Sequence, residues 1–262
     1  MIFSLITPYS QGRRFSLKLL AAGQLAILIT IWMFLPAGAG VPSLPSIASA
    51  WNRLALENGL LLELLRSVVV IWQALLLSAL ISFGTAYLTT ADLFKAGGTF
   101  IASLRFLGFA GLTFLFTLWV GGNGGNLKLL MLTFGMTVFL MRSTVDEVKC
   151  IPIESIDYAR SLGLNGWGIT YEMVIRGRLH VMLDLLRQNA AIGWTLIVLV
   201  ESYVRSDGGI GALLAVQAKY FNLPAVFAIQ LTILFYGIVQ DIALNFLRIL
   251  VCPYTELNRS DR

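Results

Sequence analysis

Long apolar stretches set the strongest limit on how this chain folds. Six of them approach or exceed the roughly 20 mostly apolar residues that an α-helix needs to cross a bilayer. They cover residues 19–36, 64–90, 104–121, 127–142, 189–205 and 224–250. Only 13% of the 262 residues are charged, about half the share typical of soluble domains. The sequence therefore predicts an all-α integral membrane protein with about six transmembrane helices.

The fourth and fifth stretches are the shortest. Lys128 and Arg142 bound one of them, and Arg187 and Glu201 bound the other. Stretches of this length also fit buried or interfacial helices. Because lysine and arginine at helix ends can extend their charged groups to the membrane surface, both stretches are also compatible with spans.

Lysine and arginine are distributed unevenly between the two sides that six spans define. With the N-terminus inside, fourteen of the nineteen lie at cytoplasmic positions, as the positive-inside rule requires. We predict both termini inside, a cytoplasmic segment 1–18 and a single transmembrane domain over 19–262, in a bacterial cytoplasmic membrane. The first stretch also resembles a signal peptide ending near Ala39, but five further apolar stretches favour an anchoring helix.

The longest polar interval, from 142 to 188, lies on the predicted inner side. Its first part predicts a short helix that begins at Pro152. Acidic residues lie in its first turn and Arg160 lies near its end, an order of charges that stabilises a helix by compensating its dipole. Gly163 can end this helix in the left-handed conformation, and the turn "LNGW" follows. A second helix is predicted over about 167–186. The sequence thus predicts a helical hairpin that projects into water.

Three groups in this hairpin follow one another along the chain: the triplet Asp157-Tyr158-Ala159, then Gly163, then the apolar group Met173-Val174-Ile175. The segment resembles the coupling loop, often called the EAA loop, of permease subunits in binding-protein-dependent ABC importers. In that family a Glu-Ala-Ala-like triplet precedes a glycine and then a short apolar group. Tyr158 replaces a small residue of the family pattern, and Arg176 and His180 stand where prolines are common.

Downstream, an apolar helix ends in Glu201 before a Gly-x-Gly segment at Gly209 and Gly211. This region is similar to the nitrate, sulfonate and taurine branch of the same importers, and the likeness covers roughly residues 60–250. It implies a type I importer permease fold, a homodimer of permeases, a cytoplasmic ATPase dimer that holds ATP and Mg, and an extracytoplasmic solute-binding protein. The implied cargo is nitrate, bicarbonate, taurine, an alkylsulfonate or a vitamin precursor.

The chain contains no GxxxxGK[ST] phosphate-binding loop, so under this resemblance force has to enter through contact with a separate ATPase. We expect the coupling loop, about 147–187, to form that contact. Movement of the ATPase would then tilt the spans so that the pathway opens alternately to the two sides of the membrane. Ala159 and Gly163 would form a small-residue docking face, while Leu164 and Trp167 would insert into the partner or pack on the second helix. An ordinary helical connector is the alternative. The expected coupling residues are Asp157, Tyr158, Ala159, Gly163, Leu164 and Trp167.

Polar residues in or beside the spans are candidates for the translocation pathway or for the binding-protein side. These are Gln73, Thr117, Thr195, Glu201, Gly209, Gly211 and Gln230. Polar side chains in spans also join helices to one another, and Glu201 has a possible partner in Arg205, four residues later. Asp241, inside the last apolar stretch, is expected to pair with Arg248 or another arginine.

Other functional classes find little support in the residues. The basic residues form no patch with interleaved aromatics, which argues against nucleic acid. The two cysteines are far apart and His180 is the only histidine, so no metal site and no histidine-based catalytic centre is expected. We predict a transport subunit without catalytic residues or a cofactor of its own. A secondary carrier that needs no ATPase and a membrane-embedded enzyme are the alternatives.

Overall fold

The computed structural model describes residues 42–57, 59–90, 103–107, 109–121 and 123–253, together with single positions at 23, 24, 27, 30, 32, 97, 100 and 101. The regular structure of these residues is helical throughout, without a strand, so the predicted all-α class is confirmed for them. The helices are α1 Leu44–Glu57, α2 Leu60–Leu88, α3 Phe109–Val120, α4 Gly124–Lys149, α5 Ile153–Ser161, α6 Gly166–Tyr203, α7 Ile210–Lys219 and α8 Leu223–Val251.

Four of the described helices, α2, α4, α6 and α8, are long and apolar enough to cross a membrane, with 29, 26, 38 and 29 residues. They correspond to four of the six predicted spans, including the short fourth and fifth ones, although the predicted spans 64–90 and 189–205 extend two residues beyond the helices. The first predicted span, 19–36, lies largely outside the described residues. A total of six spans is therefore not confirmed by the part of the chain that the structure describes.

The predicted span over 104–121 does not form one helix. Leu104–Phe106 is a 3₁₀ turn, and Leu107 is extended, with φ −70° and ψ 127°. The following helix, α3, has 12 residues, which is about 18 Å and well short of the roughly 30 Å hydrocarbon core. The prediction of a continuous span there is wrong, because the extended backbone at Leu107 separates the turn from α3.

Helix α6 joins two elements that the sequence analysis separated. The predicted hairpin helix over 167–186 and the predicted span over 189–205 are one continuous helix. Its early residues, Thr170–Arg176, are π-helical, a local widening that a helix accommodates without ending. Since no proline lies in α6, nothing removes a backbone donor along its length. The hairpin and the bundle therefore share a helix.

The core lies where α2, α4, α6 and α8 meet. Ile71, Met136, Ile197 and Ile229 come from these four helices in turn and are fully buried. A Cβ atom on Gly193 would lie 3.0 Å from the Met136 Cε atom. The absence of a side chain at this position lets α6 approach α4 closely, as small residues do between membrane helices.

Two salt bridges join α6 to α8 in a crossed arrangement. The Arg187 Nε atom lies 2.5 Å from the Asp241 carboxylate, and the Arg248 guanidinium lies 3.1 Å from Asp184. The predicted arginine partner for Asp241 is confirmed, and it is Arg187. Pairing of this kind is how charged groups in apolar helices are usually accommodated.

Candidate functional site

The hairpin comprises α5, the turn at 162–165 and the π-helical start of α6. Gly163 has φ +80°, and its N–H donates to the Arg160 carbonyl oxygen at 2.9 Å. The Leu164 N–H donates to the Ala159 carbonyl oxygen at 3.3 Å. These two bonds form a Schellman motif, in which the left-handed residue ends a helix and satisfies its last carbonyls. The predicted glycine stop is confirmed.

An asparagine restarts the helix immediately after this stop. Asn165 precedes the first residue of α6, and its Oδ1 atom accepts a hydrogen bond from the Gly168 N–H at 2.8 Å. This is the usual arrangement of an N-cap, which satisfies one of the free amides at a helix start. Because the stop and the start use bonds between near neighbours, local backbone geometry fixes the direction of the turn.

The predicted coupling residues on α5 divide by exposure. Asp157 is exposed and its carboxylate lies 3.0 Å from the Arg160 guanidinium, and Tyr158 is 64% exposed. Ala159 is fully buried. Successive residues of a helix point about 100° apart, so one side of α5 faces outward while Ala159 faces inward. The small-residue face predicted for Ala159 and Gly163 is therefore not formed.

Trp167 fastens the hairpin to α2. Its ring centroid lies 5.6 Å from that of Tyr87, and the Thr170 Oγ1 atom lies 3.4 Å from the Thr90 Oγ1 atom, just beyond the end of α2. The sequence analysis expected Trp167 to insert into a partner or to pack on its own helix, and the contact with α2 is neither. Trp167 remains 54% exposed, so the outer part of its ring is available to a partner.

A second constellation lies at the opposite end of α6, around Glu201. This side chain is 1% exposed. Its carboxylate accepts hydrogen bonds from the Ser67 hydroxyl at 2.8 and 2.9 Å and from the Gly211 N–H at 2.8 Å. The pairing of Glu201 with Arg205 is wrong, because the Arg205 Nε atom donates to the Ser202 carbonyl oxygen instead. Glu201 thus links α2, α6 and α7.

Three consecutive amides at the start of α7 receive partners from other helices. The Gly209 N–H donates to the Glu63 carboxylate, the Ile210 N–H to the Ser67 Oγ atom at 2.9 Å, and the Gly211 N–H to Glu201. Free amides and the positive end of the dipole make a helix start favourable for carboxylates. We call this set the carboxylate clamp: Glu63, Ser67 and Glu201 on the amides of residues 209–211.

A buried lysine completes the clamp. Lys128 of α4 is 2% exposed, its Nζ atom donates to the Gly208 carbonyl oxygen at 2.5 Å, and it lies 3.6 Å from the Asp207 carboxylate. The sequence analysis treated Lys128 as a helix-end residue that reaches the membrane surface, and that expectation is wrong. It also missed Ser67, although Glu63 and Ser67 are four residues apart and therefore share a face of α2.

The clamp explains why glycines follow Glu201. Gly209 has φ +105°, and a Cβ atom there would overlap the Glu201 carboxylate. At Gly211 a Cβ atom would lie 2.6 Å from the Val198 carbonyl oxygen and 2.8 Å from the Val198 Cα atom. Both contacts are much closer than van der Waals distance. The predicted residues Glu201, Gly209 and Gly211 are therefore brought together, as parts of one packed structure.

The remaining pathway candidates lie apart from the clamp. They are Gln73 on α2, Thr117 on α3, Thr195 on α6 and Gln230 on α8, and all four are exposed. The Thr117 hydroxyl donates to the Thr113 carbonyl oxygen within its own helix. Gln230 lines a groove of about 420 Å³ between α6 and α8 with Trp194 and the Arg187–Asp241 pair. A pathway role for these four stays a prediction.

Comparison with known proteins gives one partial relative. A protein of Methanocaldococcus jannaschii that carries the provisional name ABC transporter permease protein is 27% identical over 124 residues. The match covers 47% of this chain and 46% of the relative, so the chain spans less than half of that protein. No known family model matches. The chain is thus an all-helical, multi-pass membrane protein in its described part and is similar, over about half its length, to a protein named as an ABC permease.

Proposed function

We propose that this chain is the permease subunit of an ABC importer and moves a small solute across the membrane by alternating access, driven by a separate ATPase. The observation that carries the proposal is the hairpin: a short helix, stopped by Gly163 and restarted by Asn165, that presents Asp157 and Tyr158 outward. The partial likeness to a protein named as an ABC permease supports the same reading.

The hairpin suits the transfer of force because it is joined to three long helices. Trp167 contacts Tyr87 of α2, the Arg178 guanidinium lies 2.8 Å from the Glu147 carboxylate of α4, and α6 is continuous with the hairpin. A push on α5 would move these helices together, and packed interfaces of this kind shift between discrete arrangements.

Helix α6 also reaches the carboxylate clamp. It runs 38 residues from Gly166 to Tyr203, about 57 Å at the rise of an α-helix, and carries Glu201 near its far end. A movement of the hairpin would therefore change the position of the carboxylate that caps α7. We propose that the position of the Glu201 carboxylate determines whether α7 is held in place or released as the pathway opens to each side of the membrane in turn.

The complete assembly is a further part of the proposal. Both termini lie inside, and two copies of the chain form a homodimer of type I importer fold with a cytoplasmic ATPase dimer and an extracytoplasmic binding protein. The cargo belongs to the nitrate, bicarbonate, taurine, sulfonate or vitamin-precursor group. The distribution of lysine and arginine supports the orientation, and the resemblance of the Glu201 and Gly-x-Gly region supports the branch.

Co-purification tests the proposal. The tagged full chain, extracted from its native membrane in mild detergent, is expected to carry a P-loop ATPase that mass spectrometry identifies. Gly163→Val adds a β-branched side chain at φ +80° and should distort the stop and release the ATPase, while the chain stays in the membrane. Gly166→Val is the matched control, because a Cβ atom there meets nothing within 4 Å and its φ is not positive. Absence of an ATPase from the wild type, or equal retention by Gly163→Val, would contradict the proposal.

A further inference from the structure

A large cavity lies between the hairpin and the ends of α2 and α4, and Tyr158 is not among its lining residues. Its volume is about 1010 Å³, larger than most pockets that hold a drug-sized molecule. The hairpin forms one wall through Ile153 and Ile156 of α5, and the ends of α2 and α4 form the others through Thr89 and Val145. Most of the lining side chains are Val, Ile, Leu or Met, so the cavity favours an apolar occupant.

The charged side chains that line the cavity are all basic among the described residues. Lys149 and Arg160 line it, and none of the described lining residues is acidic. Lys149 is exposed and forms no ion pair with a described residue. Among the described residues Arg160 pairs only with the exposed Asp157, at 3.0 Å, and exposed pairs of this kind contribute little to stability. Contact of a phosphate group with either cation would therefore break no strong interaction.

The cavity also lies at a suitable depth for a lipid headgroup. Thr89 follows the last residue of α2, and Lys149 is the last residue of α4, so the cavity lies where two candidate spans end. Basic pockets between transmembrane helices on the cytoplasmic side bind the headgroups of anionic lipids. The apolar wall beside the two cations matches the adjoining acyl chains.

We infer that this cavity binds one anionic phospholipid, with its phosphate between Lys149 and Arg160 and its acyl chains along the Val and Ile wall. The bound lipid fills the space behind α5 and limits the inward movement of the hairpin. Anionic lipid in the inner leaflet then sets how firmly the hairpin is supported. The inference rests on the proposed orientation of the chain but goes beyond the proposed transport function, and its test requires no ATPase.

Native mass spectrometry of the purified full chain with added phosphatidylglycerol or phosphatidylcholine of identical acyl chains tests the site. The wild type is expected to retain one phosphatidylglycerol per chain that resists exchange. Lys149→Ala/Arg160→Ala should weaken this binding by about tenfold or more. Each basic residue near a membrane surface changes lipid affinity by about fivefold, and the variant removes two of them. Lys149→Arg/Arg160→Lys keeps both charges and should restore the binding.

Arg142→Ala/Arg176→Ala is the matched control. It removes two basic residues from the same end of the molecule, where each has a local carboxylate partner and neither lines the cavity. Retention of phosphatidylglycerol by this variant at the wild-type level supports the site. Equal retention by the wild type and Lys149→Ala/Arg160→Ala, or equal retention of the two lipids by the wild type, would overturn it.

Discussion

The two ends of α6 are stabilised by different kinds of hydrogen bond. At the hairpin the chain is exposed, and bonds between residues no more than five apart, at Gly163, Leu164 and Asn165, fix its path. At the clamp the groups are buried, and its bonds to Glu63 and Ser67 join residues 134 to 146 positions apart, while the Gly211–Glu201 bond joins residues ten apart on two different helices. The hairpin leaves one side exposed, whereas the clamp joins parts of the chain to one another.

This contrast predicts where substitutions reduce stability. Removal of a clamp residue leaves buried donors without an acceptor, which costs about 1–3 kcal/mol for each group. Removal of an exposed hairpin side chain leaves its neighbours in contact with water and changes the free energy of unfolding little. The clamp should therefore dominate the free energy of unfolding, and the hairpin should dominate partner binding.

Glu201→Ala is expected to have the largest effect on stability. It leaves the Gly211 N–H without an acceptor in a buried site and leaves the Ser67 hydroxyl only its 3.2 Å bond to the Glu63 carbonyl oxygen. We expect a loss of about 3 kcal/mol, measured by thermal unfolding in detergent. Glu201→Gln keeps an acceptor oxygen and should lose about 1 kcal/mol. A loss below about 1 kcal/mol for Glu201→Ala would contradict the distinction between the two ends.

Gly209→Ala should follow in size. The new methyl group would overlap the Glu201 carboxylate at a left-handed φ, and we expect a loss of about 2 kcal/mol from overpacking and backbone strain. Gly84→Ala in α2 is the control, since a Cβ atom there meets nothing within 4 Å and alanine favours a helix by up to about 1 kcal/mol. We expect Gly209→Ala to lower the unfolding temperature and Gly84→Ala to raise it. Equal shifts of the unfolding temperature would contradict the role of Gly209 in the clamp.

The contact between Tyr87 and Trp167 should contribute less. A double-mutant cycle of Tyr87→Ala and Trp167→Ala is expected to give a coupling energy of about 0.5 kcal/mol, at the low end for aromatic pairs because both rings are partly exposed. The cycle is read from thermal unfolding of the two single variants and the double variant. Additive effects would show that the hairpin is not fastened to α2 by this pair.

Asp157→Ala should change stability least. The Asp157–Arg160 pair is exposed, and such pairs contribute about 0–1 kcal/mol. We expect an unfolding shift near zero together with weaker ATPase retention in the co-purification experiment. A large unfolding shift would mean that the outer side of α5 supports the fold instead of facing a partner.

The same contrast explains what the sequence could predict. Gly163 as a helix stop follows from local pattern and is confirmed, and four of the six predicted apolar spans correspond to long apolar helices. The clamp could not be derived, because no local rule places Ser67 next to Glu201 or buries Lys128. The inward position of Ala159 and the contact of Trp167 with Tyr87 were missed for a related reason, since the packing of α5 and α6 against the ends of α2 and α4 decides them.

The break at Leu107 marks a further limit. The residues over 104–121 are apolar enough for a span, so composition alone favoured one helix, and the backbone at Leu107 is nevertheless extended. Continuity of α6 is the opposite case, because charged residues between 172 and 187 suggested a boundary that the backbone does not have. Hydropathy reports which residues can lie in a membrane, while helix ends depend on individual backbone conformations.

Site-directed cross-linking tests the central claim, that the outer side of α5 contacts an ATPase. Cys252 is buried, so Cys150→Ser leaves no exposed cysteine in the described part of the chain. In that background, a photoreactive maleimide is attached at Asp157→Cys or Tyr158→Cys in native membranes. Both are expected to cross-link to a P-loop ATPase, whereas Tyr220→Cys, which is exposed just after α7, is not. Failure at positions 157 and 158, or equal cross-linking of the ATPase from position 220, would contradict the claim.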